Sequence, residues 1–126
     1  MSLYPSKVRQ YFDSLKNLLA THPLVMDFTA IRERISSTDG LVQFDVEIVK
    51  HYRLKVFEYY STVSGVVSYR YHLQDNKNTI VRRWDNAPHH SQLATFPDHV
   101  HTPKGVEPCK QPDLKTVLDL IDGFWN

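Results

Sequence analysis

Apolar residues recur at helical spacing at both ends of the chain. Between residues 6 and 20 they fall mostly three or four positions apart, at Val8, Tyr11, Phe12, Leu15, Leu18 and Leu19. Between residues 113 and 124 the same spacing returns with Leu114, Val117, Leu118 and Ile121. This period predicts one amphipathic helix at each end. Ser6 is the expected N-cap of the first helix, and Pro23 is expected to end it.

The middle of the chain alternates between apolar and polar residues, which is typical of half-buried strands. Five segments are predicted as strands: residues 25–35, 41–49, 53–62, 66–73 and 79–85. Turn signals separate them, at Asp39-Gly40, at Ser64-Gly65 and at residues 75–78. The predicted fold class is α+β, with an antiparallel sheet of about five strands in meander order, flanked on one face by the N-terminal and C-terminal helices.

Strand alternation also assigns charged residues to the two faces of the predicted sheet. Arg70 and His72 are expected to project from the same face of the fourth strand, because they are two residues apart. In the fifth strand, Arg83 and Asp85 share one face and Arg82 lies on the other. The sequence thus predicts pairs of polar side chains on a common face, without fixing the register between neighbouring strands.

Glu58 is the one acidic residue that shares its parity with the apolar residues of the third strand. Leu54, Val56 and Tyr60 alternate with it. A buried carboxylate is costly unless it is paired, and buried carboxylates occur often where chemistry is done. We expect Glu58 on the solvent face; burial would make it a candidate for function.

The alternation stops after residue 85, and residues 86–112 are rich in proline: Pro88, Pro97, Pro103, Pro108 and Pro112. This segment is predicted to be a long ordered loop. Such loops in compact domains are more often functional than idle. It also carries four of the seven histidines: His89, His90, His99 and His101.

Composition narrows the class of protein. At 126 residues, the chain fits a single domain, residues 1–126. No apolar run approaches the roughly 18 residues that cross a bilayer. The first ten residues lack the apolar core of a signal peptide, so we expect a cytoplasmic protein without a membrane partner. A single cysteine, Cys109, excludes an internal disulfide and a metal cage made of cysteines alone.

The net charge of +1 hides an uneven distribution. Residues 50–83 contain seven Lys or Arg and two acidic residues, whereas the rest of the chain has eight basic and twelve acidic residues. A basic patch of this kind can attract phosphates. The alternative is that these are ordinary solvent-side residues of an antiparallel sheet.

The histidines allow two kinds of chemistry. His99 and His101 are two residues apart, so in an extended segment both point to the same side, as a pair of metal ligands requires. His89 and His90 lie upstream, and Asp85 or His72 could complete the ligands of zinc, manganese or iron. Histidines in proline-rich loops also cap turns or bond to carboxylates, so a purely structural role stays open.

The second kind of chemistry needs no metal. One imidazole takes a proton from a ribose 2′-hydroxyl, another protonates the leaving 5′-oxygen, and an arginine steadies the phosphate. Arg70, Arg82 and Arg83 are candidates for the last role, and Tyr69, Tyr71 and Trp84 could stack on bases. The sequence has no Walker loop, Rossmann glycine pattern, G-x-S-x-G elbow or CxxC pair. Triphosphate hydrolysis, hydride transfer and serine hydrolysis therefore have no support.

Three motifs in the second half of the chain resemble the TumE family of toxins. They are YRYHLQD at residues 69–75, RWDNAPHH at residues 83–90 and TFPDHVH at residues 95–101. The first half resembles the family only in its order of a helix followed by strands. The resemblance implies a small prokaryotic toxin whose antitoxin, usually with a helix-turn-helix, neutralises it by direct binding. The motif residues are Arg83, Asp85, Asn86, His89, His90, His99 and His101.

Two functional hypotheses follow from the residues and the resemblance. In the first, the protein is a toxin ribonuclease, with catalytic candidates His89, His90, His99, His101, Asp85 and Arg83. Its substrate-binding candidates are Arg70, His72, Arg82, Tyr69 and Asn86. In the second, the protein is a binding module whose histidine loop is structural or stapled by zinc, and it acts by occupying a partner. A divalent metal, if bound, has as candidate ligands His89, His99, His101 and Asp85. The expected partners are the antitoxin and, for the first hypothesis, RNA.

Overall fold

The computed structural model describes residues 5–125, which form two α-helices and seven strands. The helices are α1 (Lys7–Thr21) and α2 (Leu114–Gly123). The strands are β1 (Val25–Ile35), β2 (Asp39–Ile48), β3 (Tyr52–Ser61), β4 (Gly65–Gln74), β5 (Ile80–Asp85), β6 (His99–Thr102) and β7 (Gly105–Pro108). Neither described helix is long and apolar enough to cross a membrane. The predicted single domain, residues 1–126, and the N-terminal segment that lacks a signal-peptide core both extend beyond the described residues; the single domain stays a prediction.

The strands form one antiparallel sheet in the order β1 to β7, so each strand pairs with its neighbours in the sequence. The predicted α+β class and meander order are confirmed. Ser6 caps α1 by accepting a hydrogen bond from the Arg9 backbone N–H, and Asp113 caps α2 by accepting one from Thr116. Both caps satisfy N–H groups that have no partner within the helix.

Residues 86–112 contain β6 and β7, so the expectation of a loop throughout is wrong. Each of these strands has four residues, and β6 pairs with β5 so that Val100 lies opposite Trp84. The prolines lie at positions where the missing backbone N–H does not interrupt the hydrogen bonds between strands. Pro97 precedes β6, Pro103 lies between the two strands, and Pro108 ends the edge strand β7. The proline content therefore concealed two short strands and made the strand count too low.

The first hairpin turn lies before Asp39-Gly40, which begin β2, so the predicted turn position is also wrong. The Ser36 backbone N–H donates to the Asp39 carbonyl at 2.8 Å, and Ser36 Oγ donates to the Asp39 carboxylate at 2.8 Å. Gly40 is not a turn residue; it lies where α1 packs closely against the sheet. A Cβ at that position would lie 2.8 Å from Val8 Cγ1 and 2.9 Å from Phe12 Cε2. Glycine at this position lets α1 approach the sheet.

The sheet has one face covered by both helices and one open face. On the covered face, apolar residues lie opposite one another across five strands: Phe44, Val56, Tyr71, Trp84 and Val100. They share a core with the apolar sides of α1 and α2. His22, at the end of α1, lies 3.1 Å from Asp119 of α2, so the two helices meet over the same face. The opposite face is free to carry polar side chains.

Glu58 lies on the covered face and is fully buried, so the expectation of a solvent-side residue is wrong. Tyr71 Oη donates a hydrogen bond to Glu58 Oε2 at 2.8 Å, and Tyr11 Oη donates to Oε1. These two donors make the burial tolerable. Burial raises the pKa of Glu58; the hydrogen bonds from the two tyrosines oppose that rise and the Asp113 carboxylate adds to it.

We expect Glu58 to make the protein less stable as the pH rises above 4.5, the ordinary pKa of a glutamate. The native state holds the proton to a higher pH than the unfolded chain, so unfolding releases a proton in this window and stability falls. Above the native pKa the contribution is constant. Glu58→Gln has no such proton and should lack this component. Urea unfolding of both proteins between about pH 4 and pH 8 measures it; parallel stability curves would contradict the assignment.

Candidate active site

Two rows of side chains cross the open face of the sheet. The first, the Asp85 row, consists of Gln43, Phe57, Arg70, Asp85 and His99, each paired with the next across neighbouring strands. The second, the Arg83 row, lies two residues along each strand and consists of Asp45, Lys55, His72, Arg83 and His101. The pairs predicted to share a face do so. The strand register adds which residue lies beside which.

A groove runs along these rows. A cavity of about 770 Å³ is lined by residues that include Arg70, Arg83, Asp85, Asn86, His89, His90, His99 and His101. A second cavity of about 350 Å³ shares Arg70 and Arg83 with the first and extends to Lys55 and His72. Together they form one depression, the open-face groove, with most of the predicted site residues in its walls.

Asp85 is the centre of the polar contacts at one end of this groove. Its side chain is 8% exposed. Oδ2 accepts a hydrogen bond from Arg83 Nε at 3.1 Å, and Oδ1 accepts one from the Ala87 backbone N–H at 3.0 Å. The same carboxylate lies 2.9 Å from His99 Nε2 and 3.5 Å from His101 Nε2. Asp85 thus holds the start of the following loop, the arginine and two histidines together.

His99 is buried, with 1% of its surface exposed. Its Nδ1 lies 2.8 Å from the carbonyl oxygen of Pro97. A carbonyl oxygen can only accept, so Nδ1 carries the proton and Nε2 of the neutral ring carries a lone pair. The approach of Asp85 Oδ1 to Nε2 is close but is not aligned as a hydrogen bond, and none of the described residues supplies one. Because of its burial, His99 cannot act on a large substrate directly.

His90, His99 and His101 form a compact cluster, which we call the histidine triad. Their ring centroids are 4.8 Å, 5.7 Å and 4.9 Å apart. One ligand nitrogen from each lies within 4.8 Å of the others. His89, the neighbour of His90, is exposed and lies outside this group. The structure therefore distinguishes between two adjacent histidines that the sequence treats alike.

The imidazoles of the Arg83 row are surrounded by positive charge. Arg83 Nη2 donates to His101 Nε2 at 3.1 Å. Burial and Arg83 lower the pKa of His101, while Asp85 opposes the change. Burial, Arg83, Lys55 and Arg70 lower the pKa of His72 in the same way. Both rings are therefore uncharged near neutral pH and can accept a proton.

Arg82 lines neither cavity, and the side chains of Tyr69 and Asn86, which line the first cavity, are engaged by other parts of the protein. Arg82 lies on the other face from Arg83, with its guanidinium 5.1 Å from the centroid of the Phe124 ring. Tyr69 is buried, and its hydroxyl donates to Asp98 Oδ1 at 2.8 Å. Asn86 accepts a hydrogen bond from the Tyr69 backbone N–H and donates one to the Val67 carbonyl. Asn86 therefore holds the loop after β5 to β4.

Gln43 and Phe57 line both cavities, although the sequence analysis did not select them. The signal for Phe57 was its position two residues from Lys55 on the same face of β3. That signal has meaning only when the register of β3 against β4 is known, which pairs Phe57 with Arg70. Long-range register, which local patterns do not give, was the missing information.

Comparison with known families identifies one family. The family model described as Toxin TumE matches residues 15–126. The chain belongs to the TumE toxin family. No curated protein and no solved structure gives a significant match. Membership in the TumE family implies a toxin with an antitoxin partner. The matched segment includes every residue of the Asp85 and Arg83 rows.

We expect Asp85→Asn to leave the fold intact and to lower the free energy of unfolding by about 1–3 kcal/mol, since Arg83 loses its charged hydrogen-bond partner. The amide oxygen can still accept from Ala87. Asp45→Asn is the matched control, because Asp45 lies on the same face but pairs with Arg53 at a site where both side chains are more than 30% exposed. It should cost less than about 1 kcal/mol. Urea unfolding measures both, and equal costs would contradict the central position of Asp85.

Proposed function

We propose that this TumE-family protein is the toxin of a type II toxin–antitoxin pair and that it cleaves RNA in the open-face groove. The observation that carries the proposal is the order His72, Arg83, His101 along one row. An arginine stands between two imidazoles, and neighbouring strands are about 4.8 Å apart. A phosphodiester on Arg83 would have a histidine on either side.

The basic residues of the groove supply the means to bind phosphate. Arg70 and Arg83 line both cavities and Lys55 lines the second. Arg83 is held through Nε by Asp85, which leaves other guanidinium N–H groups to bind an anion. Phe57, in the wall between the cavities, offers an aromatic face for a base. Single-stranded RNA combines the phosphates and bases that these residues can bind.

The two ends of the row have different roles in this scheme. His72, uncharged because its pKa is lowered, takes the proton of the attacking ribose 2′-hydroxyl. Arg83 stabilises the negative charge that develops on the phosphate. At the other end, beside His101 and Asp85, the bond between phosphorus and the leaving 5′-oxygen breaks, and a water molecule at that end gives this oxygen its proton. His99 positions the triad, since its burial keeps it from the substrate.

A second candidate function is binding without catalysis. The burial of His99 favours it, because a histidine that is 1% exposed can equally serve to hold β6 and the preceding loop in place. Toxicity would then come from occupying a partner. In that case single changes in the triad would lower the melting temperature, and the purified protein would leave RNA intact.

The remaining expectations about partners and location follow the family. An antitoxin partner is the general consequence of membership in a toxin family, and we propose that it neutralises the toxin by direct binding. We propose that it carries a helix-turn-helix. The cytoplasmic location expected from the sequence stays a prediction.

We expect Arg83→Ala to lower kcat/KM for RNA cleavage by about 10²–10³, as loss of one charge-stabilising donor does in other enzymes. His72→Ala should cost a similar factor, since general-base catalysis typically contributes about 10²–10⁴. Arg53→Ala is the control: Arg53 lies on the open face and pairs with Asp45 at 2.7 Å, but it lines neither cavity. It should keep most of the activity.

Cleavage of a single-stranded RNA and growth arrest on expression should be measured for all four proteins. The proposal requires both readouts to fall together in Arg83→Ala and His72→Ala. Arrest by a wild-type protein that leaves RNA intact would exclude the ribonuclease and support the binding function.

A further inference from the structure

The buried nitrogen of His99 is the feature that the proposed acid–base scheme does not use. Nδ1 is committed to the Pro97 carbonyl, so Nε2 presents its lone pair toward Asp85 and the other two histidines. A buried polar atom without a hydrogen bond costs about 1–3 kcal/mol. A lone pair 2.9 Å from Asp85 Oδ1 is also repulsive, and the neighbouring cation, Arg83, contacts the other oxygen, Oδ2.

This arrangement has the form of a metal ligand. Histidines that bind metals usually donate their other ring N–H to a carbonyl or carboxylate, which fixes the tautomer and the ring orientation. His99 does so through Pro97. His101 also presents an unprotonated Nε2, since that atom accepts from Arg83. Two of the three triad rings therefore already have the tautomer that a metal requires.

We infer that His90, His99 and His101 form a Zn²⁺ site, with Asp85 supplying negative charge beside two of the ligand rings. Three neutral imidazoles suit zinc, and three protein ligands leave a fourth position open for water or a substrate oxygen. The inference about binding stands on the triad alone. A role for the ion at the leaving 5′-oxygen rests on the proposed function.

The triad needs a small contraction to hold the ion. Ligand nitrogens on tetrahedral zinc are about 3.4 Å apart, given Zn–N bonds of about 2.0–2.1 Å, whereas those of the triad lie within 4.8 Å. His99 and His101 are fixed on β6, while His90 lies in the segment between β5 and β6 and is only half-buried. His90 is the ligand that can move inward.

Arg83 is the group that competes with the ion. Its Nη2 donates a hydrogen bond to His101 Nε2 at 3.1 Å. Zinc can bind His101 Nε2 only if this hydrogen bond is broken. The Nε contact to Asp85 can stay in place. Loss of the arginine should therefore keep zinc binding at full strength or improve it, although the same change should lower RNA cleavage by about 10²–10³.

The zinc site is tested by titrating untagged, EDTA-treated protein with Zn²⁺, followed by calorimetry, and with Co²⁺, followed by visible absorption. We expect one equivalent of Zn²⁺ and a cobalt spectrum typical of four-coordinate geometry. His90→Ala should weaken affinity by more than about 100-fold, since losing even an outer partner of a ligand costs about 10–100-fold. His89→Ala, the adjacent exposed histidine, should bind as the wild type does. Arg83→Ala should bind at least as tightly.

Several outcomes would overturn the inference. One is the absence of saturable binding of either ion. Another is equal weakening by His89→Ala and His90→Ala, which would indicate only adventitious binding to surface histidines. His90 is the main variant because His99 is buried and its removal can destabilise the fold. RNA assays on the same proteins separate the zinc site from the ribonuclease activity. Zinc binding without cleavage supports the zinc site and excludes the ribonuclease. Cleavage without zinc binding supports the ribonuclease and excludes the zinc site.

Discussion

The antiparallel register of β3 to β6 is the constraint on which the rest of the structure depends. It pairs Val56 with Tyr71, Tyr71 with Trp84 and Trp84 with Val100 under the helices. On the opposite face the same ladder aligns polar side chains into the Asp85 and Arg83 rows. A shift of one residue in any of these strands would exchange the two faces of that strand. Core formation therefore also positions the site, because the two sets of side chains share one backbone.

The core explains why the open face can be so polar. Both helices bury their apolar sides on the covered face, together with the largest buried aromatic residues of the sheet. The Tyr11–Glu58–Tyr71 contact links α1 to the middle of that face through two hydroxyl donors. Since the apolar contacts lie on this side, the other face can carry charges and imidazoles without weakening the core.

Local pattern predicted the elements up to residue 85, and long-range contacts decided what it missed. Both helices and the first five strands follow from spacing that the sequence displays directly. The strands β6 and β7 are only four residues long and are flanked by prolines, so their pattern was too short to see without the pairing of Val100 and Trp84. Glu58 had the parity of a core residue, but its two tyrosine partners lie 47 and 13 positions away, and no local rule could supply them.

The site was predicted in outline for the same reason. Motif resemblance and parity selected Arg83, Asp85, His99 and His101, which the structure brings together. Neither could separate His89 from His90, which depends on the path of the loop. Arg82 was included for its charge, although its parity already placed it on the other face from Arg83. The selection of Arg82 from its residue type was therefore wrong, because the face of the strand decides which side chains reach the groove.

The central claim is that the row His72, Arg83, His101 cleaves RNA by attack of a ribose 2′-hydroxyl. The most direct test is to incubate the purified protein with a short RNA and with the same oligonucleotide carrying 2′-O-methyl groups, and to identify the product ends. The account predicts 2′,3′-cyclic phosphate and 5′-hydroxyl ends from the RNA and no cleavage of the methylated strand. An intact RNA, or equal cleavage of both strands, would contradict it.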